Sequence, residues 1–191
     1  MPQLHADLVG LAIATGICLV AAITDYRTGK IRNWLTFPPL VAAPIAHGFM
    51  GGLEAALASL LGIVGCGLVP FLLFKAKIPT QGAKPGQELH AGGGGDVKLL
   101  AAVGGIVGLQ IGLEVGIATL FAVGIYGIGK LAVEGKLVQT FKNVGIILTN
   151  PFLHKAKRRT IKRETLSRIR IGPAFLAGCI AVIVHRYVLV A

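Results

Sequence analysis

Six stretches of the sequence carry almost no charge and are long enough, or nearly so, to cross a lipid bilayer. They are approximately 7–25, 35–52, 54–74, 97–110, 111–133 and 171–190. A membrane-spanning helix needs about 20 apolar residues, whereas about a quarter of the residues in a soluble domain are charged. Only 14% of this chain is charged, and its mean hydropathy is +0.75. The sequence therefore predicts a single all-α integral membrane domain over 1–191 with six transmembrane helices.

The basic residues fall in alternate connections between these stretches. All 19 Lys and Arg residues except Arg186 lie between the first and second, the third and fourth, or the fifth and sixth stretches, or at their adjoining ends. Positive residues stay on the cytoplasmic side during membrane insertion. Three loops are therefore predicted to face the cytosol and both termini to face outside. The same rule favours a hairpin near Gln110, because one bent helix there would place the basic 134–170 loop outside.

The net charge of +11 follows from this topology and indicates no nucleic-acid partner, although the pI is near 10. The charge is concentrated in the cytoplasmic loop 134–170, where most of the basic residues lie between 155 and 170. Basic segments beside a membrane attract anionic headgroups, at about 1 kcal/mol per residue. We predict that this loop contacts anionic lipid headgroups and that its apolar part, 137–148, lies at the membrane interface.

Two of the eight acidic residues stand at the predicted cytoplasmic ends of stretches: Asp25 ends the first, and Asp96 opens the fourth after four glycines. Each has an ordinary interpretation, since Asp96 is placed to cap a helix and Asp25 could pair with Arg27 or Lys30. Carboxylates at membrane depth also mark ion pathways. A small proton-coupled transporter or channel subunit therefore stays open beside an enzyme with paired carboxylates. The acids at the opposite ends are predicted to be solvated: Asp7, Glu54 and Glu114.

The cysteines lie inside the apolar stretches, at positions 18, 66 and 179. A buried free cysteine behaves as a small apolar side chain, so Cys18, Cys66 and Cys179 are predicted to pack in the core. No cluster of metal-ligand spacing occurs in the sequence, and no metal or cofactor is predicted.

The segments around the two aspartates resemble the type IV prepilin peptidases, membrane aspartic proteases of the GxGD class. Residues 93–99 read Gly-Gly-Gly-Asp-Val-Lys-Leu and match their GxGDxKL signature, while 25–33 resemble D-x-R-x-x-x-I-P-N with Arg32 at the proline position. Residues 171–178 resemble the Gly-Pro start of their last helix. The resemblance implies Asp25 and Asp96 as the catalytic pair, supported by motif residues Gly93, Gly95, Lys98, Arg27 and Asn33. Asn33 is further expected to cap the second helix.

The resemblance also implies the reaction and its partners. Two adjacent carboxylates share one proton, and together they would hydrolyse the peptide bond that joins a short cytoplasmic leader to a prepilin or pseudopilin. This chemistry needs no cofactor and would take place in the bacterial inner membrane, which the chain crosses several times.

Within the family, the chain is similar to the short members that serve tight-adherence (Flp) pili. It lacks the C-x-x-C insert of larger members, so no N-methyltransferase activity is expected. Pseudopilins of type II secretion and archaellins remain open as substrates. A non-catalytic scaffold for pilus assembly remains the other alternative.

Overall fold

The computed structural model describes residues 2–75, 77–78, 89–90, 93–149 and 170–189, and these are almost entirely helical. The helices are α1 (Pro2–Thr28), α2 (Asn33–Lys75), α3 (Gly94–Val133), α4 (Leu137–Thr149) and α5 (Gly172–Val184), which continues as a π-helical turn (His185–Leu189). Two two-residue strands, β1 (Lys77–Ile78) and β2 (Leu89–His90), pair in antiparallel register. The predicted all-α class is confirmed. The basic segment 155–169 lies outside the described residues.

Within the part of the chain that the structure describes, four helices are long and apolar enough to cross a membrane: Asp7–Thr28, Asn33–Leu72, Gly94–Val133 and Gly172–Leu189. In the most apolar 18-residue part of each helix, only 22–33% of the residues are buried inside the protein. Large apolar side chains such as Phe49, Leu61 and Phe121 are exposed on the helix surfaces. Apolar surface on this scale is stable against lipid rather than water. The chain is therefore a multi-pass membrane protein.

The helix α2 reverses direction near its middle. Gly51 and Gly52 have non-helical backbone angles, and Gly52 has a φ of 72° that favours glycine. Beyond this turn the two halves lie side by side, because a Cβ at Gly105 would lie 3.6 Å from Ala43 and 2.8 Å from Ile63. In a straight helix those two residues would be about 30 Å apart.

The helix α3 reverses in the same way at Gly108, where φ is 82° and ψ is 172°. A Cβ at Gly112 would lie 2.8 Å from the Cα of Gly104, and one at Gly116 would lie 3.3 Å from Leu100. These contacts pair residues at equal distances before and after the turn. The segments 94–107 and 109–133 therefore run antiparallel, and glycine permits their backbones to touch.

The two reversals lie close to the span boundaries predicted from the sequence, at 52–54 and 110–111. The first lies at 51–52 and the second two residues before its predicted place, because the turn needs a glycine in the left-handed region and Gly108 supplies it. Four helices meet the length and hydropathy of a membrane span, against six predicted spans. The six-span topology with both termini outside stays a prediction.

The helices enclose one core that also positions the ends of α1, α3 and α5. Its central residues are Leu11, Cys18, Leu99, Val103, Phe175 and Cys179, all at most 3% exposed. The three cysteines are buried and free, and Sγ of Cys18 and Cys179 are 3.6 Å apart. Their burial supports the prediction that they pack as apolar residues. The α2–α3 contact adds a buried hydrogen bond of 2.7 Å from the Ser59 hydroxyl to the Gly105 carbonyl.

Candidate functional site

Asp25 is buried near the C-terminal end of α1, with 7% of its surface exposed. The helix ends at Thr28 and is followed by Gly29, whose φ of 66° is left-handed and whose N–H donates to the Asp25 carbonyl at 2.8 Å. This is the usual glycine termination of a helix. Asp25 therefore lies in the last full turn, where its side chain can leave α1 and reach a neighbouring element.

The element that Asp25 reaches is the start of α5. Its Oδ2 accepts a hydrogen bond of 2.9 Å from the backbone N–H of Gly172, which is 147 residues later in the chain. A Cβ at position 172 would lie 2.7 Å from the Cβ of Asp25 and 3.0 Å from its Oδ2, so only glycine leaves room for the carboxylate. Helix N-termini stabilise negative charge through their free N–H groups. The first turn of α5 therefore forms a binding site for the carboxylate of Asp25.

The ordinary interpretation of Asp25 was an ion pair with Arg27 or Lys30. Among the described residues Asp25 makes no ion pair, and its hydrogen-bond partner is the backbone of α5. Arg27 and Lys30 are exposed at the end of α1. Among the described residues, Arg27 makes no hydrogen bond or ion pair with either aspartate.

Asp96 occupies the third position of α3. The helix begins at Gly94 with Gly93 as its N-cap, three residues before the apolar stretch predicted from about 97, so Asp96 lies inside the first turn and is not the N-cap residue. The carboxylate caps the helix from inside, because its Oδ2 accepts from the Gly93 N–H at 3.2 Å. A Cβ at Gly93 would lie 2.6 Å from that oxygen. Glycine at 93 therefore leaves space for the Asp96 carboxylate.

Two contacts hold the segment of Asp25 against that of Asp96. A Cβ at Gly95 would lie 2.8 Å from the Cβ of Ile31, so the linker between α1 and α2 lies directly on the first turn of α3. Lys98 Nζ donates to Asn33 Oδ1 at 2.9 Å across 65 residues of sequence, and it also lies 4.9 Å from the ring centroid of Phe37.

Asn33 was expected to cap the second helix, but it is the first residue of α2 and its side chain binds Lys98 instead.

The two aspartates lie at the same end of the bundle, because the linker that follows α1 contacts the first turn of α3. Asp96 is partly buried and Asp25 is buried. Ile31, Leu35, Leu99 and Phe175 pack in the core beside them. Both carboxylates therefore belong to the end of the bundle at which α1 ends and α3 begins.

Sequence reasoning missed two partners at the ends of the last helix. Gly172 was noted only as part of a Gly-Pro helix start, and hydropathy carries no signal for its contact with Asp25. At the opposite end, Glu114 was expected to be solvated, but both its oxygens bind Arg186, at 2.7 Å to Nε and 2.5 Å to Nη2. The sequence does contain evidence for this ion pair, because Arg186 is the only basic residue in the sequence near the end of the bundle where Glu114 lies.

The type IV leader peptidase family matches residues 12–128, which is more than half of the chain. The chain belongs to this family. The matched region contains both aspartates and their glycine and lysine neighbours, whereas Gly172 lies beyond it. No curated protein and no solved structure matches the chain.

Membership of the type IV leader peptidases makes this protein a protease that acts on prepilin-type substrates. Family membership therefore favours the protease over the transporter and channel hypotheses, because those two hypotheses depended on the acidic residues alone.

Proposed function

We propose that this leader peptidase is an aspartic endopeptidase that cuts the short cytoplasmic leader from prepilin-like substrates at the boundary of the bacterial inner membrane. The catalytic pair is Asp25 and Asp96. One observation carries the proposal: the segments of the two aspartates contact each other through Lys98 and Asn33 and through Gly95 and Ile31. Gly93, Gly95, Lys98 and Asn33 act as positioning residues, and Arg27 is left without an assigned step.

In this mechanism Asp25 is the ionised base and Asp96 the acid. The two charges repel, so the pair holds one proton. Asp25 is the better stabilised carboxylate, because its hydrogen bond is buried and 2.9 Å long, whereas that of Asp96 is exposed and 3.2 Å long.

Asp25 removes a proton from water as the water oxygen attacks the carbonyl carbon, and Asp96 gives its proton to the carbonyl oxygen. As the C–N bond breaks, Asp25 protonates the leaving nitrogen and Asp96 recovers a proton from a hydroxyl.

The proposal includes six membrane crossings with both termini outside. It is supported by the reversals at Gly52 and Gly108, which divide α2 and α3 into antiparallel segments. The ends that carry Lys30, Lys75, Lys98 and Lys130 then all lie on the cytoplasmic side, as the distribution of basic residues requires. Both aspartates lie at that side, where a cytoplasmic leader would arrive.

The substrate class within this proposal is a prepilin of the tight-adherence (Flp) type, with pseudopilins and archaellins as the alternatives. The reaction needs water and two carboxylates and no cofactor. N-methylation of the product is not part of the proposal. Anionic lipid is proposed as a partner of the basic cytoplasmic loop at 134–170.

The test is cleavage of a co-expressed Flp-type prepilin, followed as a gel shift. The wild type is compared with Asp25→Asn, Asp96→Asn and the matched control Asp7→Asn, which removes a carboxylate from the other end of α1. We expect processing by the wild type and the control, and none by the other two at equal abundance in the membrane. Processing by either of those variants would refute the catalytic pair. A wild type inactive on Flp-type prepilins, pseudopilins and archaellins would favour a silent scaffold.

A further inference from the structure

A half-open cavity of about 690 Å³ lies next to Asp25, between the end of α1, the second half of α3 and the start of α5. Its volume falls within the range of small-molecule sites, about 300–1,000 Å³. The apolar part of its lining, called the floor, consists of the small residues Ala122, Pro173, Ala174 and Ala177. The proposed mechanism uses no residue of this floor, and small side chains leave space along it for a flexible apolar chain.

The other described lining residues are polar or positively charged, and this part of the lining is called the mouth: Tyr26, Tyr126, Lys130 and Arg170. The Arg170 guanidinium lies 5.1 Å from the ring centroid of Tyr26, which holds the cation at the rim. Both tyrosines are at least half exposed, so their hydroxyls are available as donors at the mouth.

Two of the described acidic residues lie near this mouth: Asp25, which precedes Tyr26, and Glu134. Glu134 is 3.8 Å from Lys130 and 3.5 Å from Lys136. The formal charges of Lys130, Lys136 and Arg170 exceed those of Asp25 and Glu134 by one. The rim remains attractive to an anion.

We propose that this cavity binds one anionic phospholipid, with its phosphate between Lys130 and Arg170 and an acyl chain along the alanine floor. The combination of features selects this ligand. A soluble anion would gain nothing from the apolar floor, and an uncharged apolar segment would gain nothing from the cations. The cavity opens beside helices that lie in a membrane, so phospholipid is present at high concentration where the site needs it.

The site also adjoins the candidate catalytic pair. Tyr26 follows Asp25, and Pro173 follows Gly172, which donates the hydrogen bond to Asp25. A lipid bound here contacts both elements that this bond joins. The proposal concerns binding and goes beyond the proteolytic function, so it can be tested without any measurement of cleavage.

The first test measures lipid retained by the purified full-length protein in native mass spectrometry, with phosphatidylglycerol and phosphatidylcholine supplied in equal amounts. We expect one phosphatidylglycerol to be retained in preference. The double variant Lys130→Gln/Arg170→Gln should weaken its binding about 30-fold, about 5-fold per cation. The control Lys75→Gln/Lys142→Gln removes the same charge from exposed residues outside the cavity and should leave this retention unchanged.

The second test fills the floor without changing any charge. Ala177 and Ala181 are both exposed on α5 and one turn apart, but only Ala177 lines the cavity. Ala177→Phe should abolish selective retention, while the matched Ala181→Phe should preserve it.

Equal retention of the two lipids, equal effects of the two charge-removing pairs, or retention by Ala177→Phe would each overturn the proposal. A raised KM for prepilin with unchanged lipid retention in Ala177→Phe would identify a peptide site instead. Loss of cleavage in Asp25→Asn bears only on the protease.

Discussion

At the scale of single residues, the site depends on glycines that leave room for carboxylates. Gly93 and Gly172 each donate a backbone N–H to an aspartate, and at each position a Cβ would meet the carboxylate it serves. An N–H bond to a carboxylate is charge-assisted and stronger than a neutral one. The glycines are therefore part of the site because the chain must approach the acid closely, and not because it must turn.

Gly172→Ala tests this conclusion directly. Its Cβ would meet Asp25 at 2.7 Å, so the carboxylate must shift, and displacement of about 1 Å can cost about 100-fold in rate. We expect kcat for prepilin cleavage to fall by about that factor while KM stays unchanged, because the substrate does not contact the displaced bond. The kinetics would be measured on purified protein in nanodiscs.

The matched control is Gly124→Ala, where a Cβ meets nothing within 4 Å. This substitution replaces a helical glycine whose surroundings are open, so it should stabilise the helix slightly. The variant should keep full cleavage activity. Equal activities of the two variants would contradict a positioning role for Gly172.

The sequence predicts Asp25 and Asp96 as a candidate pair, and their role stays a prediction, whereas the sequence did not predict their hydrogen-bond partners. Charged residues inside membrane segments are rare and mark function, so Asp25 and Asp96 stood out among only eight acids. The contact of Asp25 with Gly172 joins residues 147 apart. Hydropathy and residue spacing describe each helix alone, so they contain no information about which helix end faces which.

At the scale of elements, the apolar pattern located the helices but not their first turns. The start of α3 was expected at Val97 and lies at Gly94. Hydropathy marks where apolar residues begin, whereas the helix begins where backbone hydrogen bonds begin. Glycine is a poor helix former, but the Asp96 carboxylate binds the Gly93 N–H and supports the glycine turn.

The Glu114–Arg186 pair joins α3 to the π-helical turn after α5 and is the strongest polar link described at that end of the bundle. Two hydrogen bonds join the Glu114 carboxylate to the Arg186 guanidinium, although the side chain of Glu114 is 37% exposed and that of Arg186 is 26% exposed. Exposed pairs contribute about 0.2–1 kcal/mol, and bidentate geometry favours the upper end. A double-mutant cycle with Glu114→Gln and Arg186→Gln should give a coupling energy of about 1 kcal/mol in unfolding free energy.

The comparison cycle uses Glu134→Gln and Lys136→Gln, whose charged atoms are 3.5 Å apart. This longer contact on partly exposed side chains should give a coupling of about 0.3 kcal/mol. Both cycles would be measured by unfolding in a denaturing detergent. A coupling at Glu114–Arg186 no larger than that at Glu134–Lys136 would show that α5 is held at this end by apolar packing alone.

At the scale of the whole molecule, six crossings follow if each reversal lies outside the membrane. In that case Leu53 and Gln110 are near the external surface, while Lys30 and Lys136 are cytoplasmic. The short segment 94–107 rises about 21 Å against a hydrocarbon core of about 30 Å. The Gly108 turn is therefore the more deeply placed of the two. A four-crossing protein would instead keep residues 53 and 110 inside the bilayer.

Cysteines introduced one at a time at these four positions separate the two topologies. The native cysteines are at most 1% exposed, so the wild type should react little with a membrane-impermeant maleimide and serves as the background. We expect Leu53→Cys to label in intact spheroplasts and Gln110→Cys to label more slowly, because its turn lies deeper. Lys30→Cys and Lys136→Cys should label only after permeabilisation. Labelling of Lys30→Cys in intact spheroplasts would show that the protein has the opposite orientation in the membrane. Both aspartates would then lie on the side that a cytoplasmic leader does not reach.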